Sequence, residues 1–230
     1  MDYQLFMLHF SGGSIYSFNS FTSRLKDSFS LEPVELPGRG LRYHEDLIYD
    51  KEKAVKDLIF QIKERRNEKP FILFGHSLGA ELGFLITKEL EEMGDFPSYL
   101  VVSGNPGPNM RKNERLFEIP NPLFFEKLKE LGGLSEEILN SAELLEIFEP
   151  ILRADFEIIE KDTVISPAKI KTPIFALMGN EEKSADLILN WKNYTEDRFD
   201  YNILQGNHFF IYENKDIICD ILINCKKVQE

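Results

Sequence analysis

The sequence predicts an α/β fold, a mostly parallel central sheet with helices on both faces, and two observations carry the prediction. Strand and helix signals alternate along most of the chain, the pattern of parallel strands joined by crossover helices. The strongest strand signals, Pro70-Phe71-Ile72-Leu73-Phe74 and Pro173-Ile174-Phe175-Ala176-Leu177-Met178, are unbroken apolar runs, as expected of strands covered on both sides. A chain of 230 residues is long enough for one domain with a full core. No internal repeat, low-complexity tract or linker divides it, so residues 1–230 are expected to form a single domain.

The elements follow in order. Residues 3–10, Tyr3-Gln4-Leu5-Phe6-Met7-Leu8-His9-Phe10, read as the first strand, ending in the loop Ser11-Gly12-Gly13-Ser14. A second strand is expected over 31–37 and a helix over 51–66. The run at 70–75 is a third strand, and the apolar spacing after it predicts a helix over 79–93. A strand over 98–104 comes next. Between about 106 and 170 the core-strand pattern disappears. Leu123-Phe124-Phe125-Glu126-Lys127-Leu128 and the stretch from Leu144 to Leu152 read instead as short amphipathic helices, joined at Leu131-Gly132-Gly133. Such an insertion, 106–170, suits a lid that excludes water and shapes a pocket; additional helical packing without a gating role is the alternative. The alternation then resumes with a strand at 173–179, a helix at 184–197, a strand at 200–205 and a helix at 213–226.

The junction between the third strand and its helix carries the chemistry. Gly75-His76-Ser77-Leu78-Gly79 is a G-x-S-x-G set between strand and helix, the nucleophile elbow of α/β-hydrolases. The turn strains the serine backbone, and the glycines let strand and helix pass closely. Ser77 is therefore the candidate nucleophile; a structural serine in a glycine-rich turn is the competing reading. The partners of such a serine follow in the order acid, then histidine. Of His9, His44, His76 and His208, only His208 lies late in the chain, so it is the candidate base. The acid is expected at the carboxyl end of the 173–179 strand, where open α/β sheets gather functional groups. Glu182 is the first candidate there, followed by Glu181 and Asp186, each of which competes with an ordinary solvated loop carboxylate. An oxyanion site needs two backbone N–H groups. Leu78, directly after the nucleophile, supplies one, and Ser11 in the loop after the first strand is the expected second donor.

Composition narrows the rest. Lys and Arg number 27 against 39 Asp and Glu, a formal charge of −12, which argues against nucleic-acid binding. No Cys/His cluster with metal spacing, G-x-G-x-x-G or Walker sequence is present, so neither metal nor cofactor is expected. The N-terminus lacks signal-peptide features and no apolar run approaches the ~18 residues of a membrane span, so a cytoplasmic protein with no membrane partner is expected. Cys219 and Cys225 lie six residues apart on one expected helix, about 9 Å along its axis, too far to bridge. Both are expected as reduced thiols.

Several stretches together resemble the type II thioesterases, stand-alone editing hydrolases of nonribosomal peptide and polyketide synthases. They are His9-Phe10-Ser11-Gly12-Gly13, Leu36-Pro37-Gly38-Arg39-Gly40-Leu41-Arg42, the elbow, Val102-Ser103-Gly104, Leu152-Arg153-Ala154-Asp155-Phe156 and Gly206-Asn207-His208-Phe209-Phe210. The resemblance covers nearly the whole chain; the P-G-R-G and R-A-D-F segments separate this family from other hydrolases. It implies Ser77 as nucleophile, His208 as base and hydrolysis of acyl or aminoacyl groups from the phosphopantetheine thiol of an acyl or peptidyl carrier protein, in antibiotic-type biosynthesis. The chain departs from the family pattern at Glu182, where the family usually has aspartate, and at Ser11, where alanine is commoner. Arg111, Lys112 and Arg115 are a candidate docking patch for an acidic carrier, with an ordinary solvated loop as the alternative. Phe124, Phe125 and Leu128 are candidates to line the acyl pocket, with ordinary packing between lid and core as the alternative. Two other functions share parts of this signature: a general esterase or acyltransferase on small esters, and a catalytically silent hydrolase fold that binds a ligand.

Overall fold

Among the described residues six strands pair side by side in the order β2-β1-β3-β4-β5-β6, and every pairing between them is parallel. They are β1 (Gln4–Leu8), β2 (Ser30–Val34), β3 (Phe71–His76), β4 (Tyr99–Ser103), β5 (Ile174–Gly179) and β6 (Phe199–Leu204). The structure, a computed structural model, describes residues 3–110, 115–130, 141–161 and 168–227. The helices are α1 (Asn19–Leu25), α2 (Lys51–Arg65), α3 (Leu78–Glu92), α4 (Leu123–Glu130), α5 (Ala142–Glu160), α6 (Phe210–Glu213) and α7 (Lys215–Lys227).

The two-residue period of the strands divides the core into two layers. Leu5 and Met7 of β1, Ile72 and Phe74 of β3 and Tyr99 and Val101 of β4 face a layer closed by α1, α6 and α7. Phe6 and Leu8 of β1, Phe71 and Leu73 of β3 and Leu100 and Val102 of β4 face the opposite layer, closed by α2, α3 and α5. Central β1, β3 and β4 are buried along their whole length, whereas edge strand β6 is largely exposed. Each fully buried Leu or Phe contributes about 1.5–3 kcal/mol, so the central strands anchor whatever is mounted on their ends.

Helix boundaries follow local chemistry. Asp50 caps α2 by accepting the Lys53 N–H at 2.8 Å, and Ser141 caps α5 through the Leu144 N–H at 3.3 Å. Two expectations change. Residues 184–197, read as an α-helix, form 3-10 turns over Ala185–Tyr194. The buried residues there are Ile188, Trp191 and Tyr194, spaced by three; such a repeat stacks in register in a 3-10 helix, whereas it drifts about 60° per step around an α-helix. The stretch Leu144–Leu152 belongs to a longer helix, α5, which runs through Pro150 and carries the Arg153-Ala154-Asp155-Phe156 segment to its C-terminal end. Helix α1 and the preceding 3-10 turn Ile15–Phe18 were not marked by the sequence pattern. The expected joint Leu131-Gly132-Gly133 lies outside the described residues.

Candidate active site

Ser77 stands between β3 and α3 with φ 56° and ψ −108°, a backbone state that costs a non-glycine residue about 1–3 kcal/mol. Its surroundings hold it there. The Ser77 N–H donates to the Ser103 carbonyl at 2.7 Å, and its own carbonyl accepts from Asn105 Nδ2 at 3.1 Å and the Ala80 N–H at 3.2 Å. The elbow glycines are required by close approach. A Cβ on Gly75 would lie 2.1 Å from the Gly79 carbonyl oxygen, and one on Gly79 would lie 2.2 Å from the Leu8 carbonyl oxygen. Ser77 is 6% exposed, so its hydroxyl sits in a largely water-excluded setting at the start of α3, where the helix dipole favours negative charge.

His208 follows β6. Its Nδ1 lies 2.7 Å from Glu182 Oε2, with the histidine side chain 19% exposed and the glutamate 9%. The second carboxylate oxygen, Oε1, accepts the Gly179 N–H at 3.0 Å, which ties Glu182 to the end of β5. With Nδ1–H donating to the carboxylate, Nε2 of His208 is left as the proton acceptor. Glu181 and Asp186, the other two carboxylates considered, are exposed and are not brought to His208.

The end of β4 links the serine and histidine. Ser103 accepts the Ser77 N–H on its carbonyl, and a Cβ on the next residue, Gly104, would lie 3.2 Å from His208 Cε1. The His76 ring, fixed by a 3.0 Å bond between Nδ1 and Ser103 Oγ, lies 5.0 Å from the His208 ring, centroid to centroid. Ser77, Glu182 and His208 thus gather at the carboxyl ends of β3, β5 and β6, where open parallel sheets place functional groups.

The Ser11–Ser14 loop packs beside the elbow, with Phe10 5.7 Å from the His76 ring and 5.0 Å from Phe209. Three of its N–H groups are committed: Gly12 to Asp155 Oδ2 at 2.7 Å, Gly13 to the Phe10 carbonyl at 2.8 Å and Ser14 to Ser17 Oγ at 2.9 Å. The Ser11 N–H has no such partner among the described residues. The Leu78 N–H, at the first position of α3, lies among those a helix leaves without an intrahelical acceptor.

The other candidates fall as follows. Phe124 and Leu128 are buried in the apolar layer shared with the sheet, and Phe124 packs against Phe125 and Phe156 at 5.7 and 6.0 Å. Arg111 and Lys112 lie outside the described residues. Arg115 forms an ion pair with Glu118 and stands over the Phe117 ring at 5.3 Å. Two features escaped the sequence reading. Asn105 fastens both the elbow and the 3-10 segment, taking the Trp191 Nε1–H on its carbonyl at 2.8 Å; its position at the end of a core strand beside the elbow was the available signal. The Arg39–Asp155 pair joins two motifs that the sequence showed only separately. Cys219 and Cys225 are free thiols, pushed by burial up to about 11 and about 12. Among the described residues no helix is long and apolar enough to cross a membrane.

A parallel sheet with a strained serine at a strand–helix elbow and a histidine beyond the last strand defines an α/β-hydrolase fold. The chain belongs to the thioesterase domain family, whose pattern matches residues 3–225. It is 29% identical over 220 residues to the thioesterase PikA5 of Streptomyces venezuelae, covering 94% of this chain and 78% of that one. Among solved structures, ClbQ from the colibactin NRPS/PKS pathway superposes with a TM-score of 0.92 at 26% identity, over 99% of this chain and 98% of the other. The type II thioesterase BorB from the borrelidin biosynthetic cluster matches with a TM-score of 0.87 at 26% identity, over 98% of this chain and 93% of its own.

Proposed function

We propose that this chain is an editing type II thioesterase that hydrolyses acyl or aminoacyl thioesters from the phosphopantetheine arm of carrier proteins in a nonribosomal peptide or polyketide pathway. Ser77 attacks the thioester carbonyl, His208 Nε2 takes its proton, and the Leu78 and Ser11 N–H groups receive the developing oxyanion. The thiol leaves with the proton from His208. Water, deprotonated by the same nitrogen, then releases the acid from the acyl-serine and restores Ser77. Glu182 holds the imidazole in the required tautomer and balances the imidazolium charge. The observation that carries this reading is the 2.7 Å contact between His208 and Glu182, beside a strained elbow serine, in a member of the thioesterase family.

A thioester suits this apparatus, since its carbonyl has little resonance stabilisation and its thiolate leaves readily, so two N–H donors and a serine–histidine pair suffice. The 106–170 insertion acts as the lid in this reading. Phe124, Leu128, Leu152 and Phe156 of its described part are buried in the layer shared with the sheet, and Arg153 stiffens it by donating to the Phe117 and Ile119 carbonyls at 3.0 Å each and to Asn121 Oδ1 at 2.9 Å.

The test is hydrolysis of one acyl group presented on a carrier protein, on free coenzyme A and as a simple oxygen ester. The carrier-bound thioester is expected to be preferred, with Ser77→Ala lowering its turnover at least a thousandfold and abolishing labelling by a serine-directed phosphonate. Equal rates on all three substrates would favour the general esterase. A parent protein that neither turns over nor takes the label would leave the silent binding protein.

A further inference from the structure

The acyl-transfer reading needs the Ser11 N–H aimed at a substrate oxygen, and a Ser-Gly-Gly-Ser turn does not hold one direction unaided. The peptide plane that carries this N–H also carries the Phe10 carbonyl, and in a trans peptide the two point in opposite directions. That carbonyl is gripped twice, by the Gly13 N–H at 2.8 Å and by His9 Nδ1–H at 2.8 Å. The His9 tautomer is itself set, because Nε2 accepts the Leu36 N–H at 3.1 Å and so does not carry the proton. The next peptide plane, Ser11 to Gly12, is held through the Gly12 N–H by Asp155 Oδ2 at 2.7 Å. Ser11 adds no anchor of its own: its hydroxyl oxygen is buried and has no hydrogen-bond partner among the described residues.

Asp155 is fully buried and forms a fork with Arg39, Nη1 to Oδ2 at 2.6 Å and Nη2 to Oδ1 at 2.8 Å. Stability alone is a weak reason for such a pair. Well-packed apolar residues in place of a buried ion pair are often neutral or stabilising. What apolar residues could not do is accept the Gly12 N–H. We infer that His9 and Asp155 are positioning residues: between them they fix both peptide planes flanking Ser11 and so aim its N–H at the oxygen of a substrate bound over Ser77. Asp155 lies on α5, inside the insertion, so the inference also couples that helix directly to the candidate oxyanion site. It rests on the acyl-transfer reading above.

Three variants test it: His9→Leu, His9→Asn and the double replacement Arg39→Met with Asp155→Leu. Each is checked for a cooperative melt, then assayed on a small acyl thioester. Inhibition by a short alkyl trifluoromethyl ketone is measured in parallel. Ser77 Oγ bonds to the ketone carbon of this probe, its proton passes to His208, and the resulting oxyanion occupies the two N–H groups. Loss of an oxyanion donor lowers turnover about 10²–10³-fold, so a misaimed one is expected to lower kcat at least tenfold. KM should change less than threefold, and ketone affinity should fall by the same factor as kcat/KM. His9→Leu and the double variant should both behave this way, with the ionisation of His208 in the pH–rate profile unmoved. His9→Asn, whose amide N–H can stand where Nδ1–H stood, should stay within threefold of the parent.

Folded His9→Leu and double variants within threefold of the parent in kcat and ketone affinity would overturn the inference, as would a His9→Asn loss equal to that of His9→Leu. If only one of the two disruptive variants folds, that one decides; failure of both to fold would make the network a folding element and count against positioning. A parent indifferent to thioester and ketone alike would instead overturn the acyl-transfer reading itself.

Discussion

Replacing Glu182 with glutamine is the sharpest perturbation of the candidate site, because both carboxylate oxygens have donors facing them. Oε2 takes His208 Nδ1–H at 2.7 Å and Oε1 takes the Gly179 N–H at 3.0 Å. A glutamine has one oxygen to offer. If that oxygen stays on Gly179, its NH₂ faces Nδ1, the imidazole proton moves to Nε2, and His208 can no longer take the serine proton. If it turns to His208, the NH₂ opposes the Gly179 N–H, which loses its bond. The productive orientation then forfeits a buried backbone hydrogen bond, about 1–3 kcal/mol, and exchanges a charge-assisted bond for a neutral one, about 1–2 kcal/mol more. Together these come to about 2–5 kcal/mol, or roughly 30-fold to several thousandfold in rate at 1.36 kcal/mol per decade. We expect kcat for thioester hydrolysis, followed by thiol release, to fall within that range. KM should move less than threefold and the melting transition little, since the side chain keeps its volume. A kcat within fivefold of the parent would refute the assignment of Glu182. The same change at exposed Glu181, or Asp186→Asn, should leave turnover within twofold, and a large loss at either would relocate the acid.

Gly79→Ala places a methyl 2.2 Å from the Leu8 carbonyl oxygen and 2.7 Å from that of His9. Backbone must shift to make room, so a stability loss of about 1–3 kcal/mol in urea melts is expected, and an unchanged midpoint would remove the close-packing account of the elbow. Burial first, and the Arg39 charge second, lower the His9 pKa from 6.5 to about 4. The unfolded chain therefore binds the extra proton first, and the stability tied to neutral His9 is complete above about pH 6.5 and lost as pH falls towards 4. At 1.36 kcal/mol per unit this is about 3 kcal/mol, measured as the shrinking stability difference between the parent and His9→Asn in urea melts from about pH 7 to about pH 4; a constant difference would mean that His9 ionises normally in the folded state.

Which parts of this protein are legible in its sequence depends on how local their causes are. The elbow is legible because its requirements sit in five consecutive residues between a strand and a helix: a serine that accepts a strained φ and two glycines where backbones nearly touch. The alternation of elements predicts a parallel sheet because crossover helices must separate parallel strands. His208 is picked out by its place after the last strand. Other assignments required the folded chain. Three carboxylates, Glu181, Glu182 and Asp186, lie within six residues, and only the turn that bonds the Glu182 N–H to the Gly179 carbonyl at 3.2 Å turns one of them toward β6. The 3-10 form of Ala185–Tyr194 follows from the face it presents to Phe84, whose ring meets Trp191 and Tyr194 at 5.8 and 5.4 Å; a single helical repeat could not reveal that neighbour. Arg39 and Asp155 are 116 positions apart, and Asp155 is 143 from Gly12. Each motif is visible alone, but a buried charge reveals its purpose only beside its partner, and that pairing is set by how α5 packs across the end of the sheet.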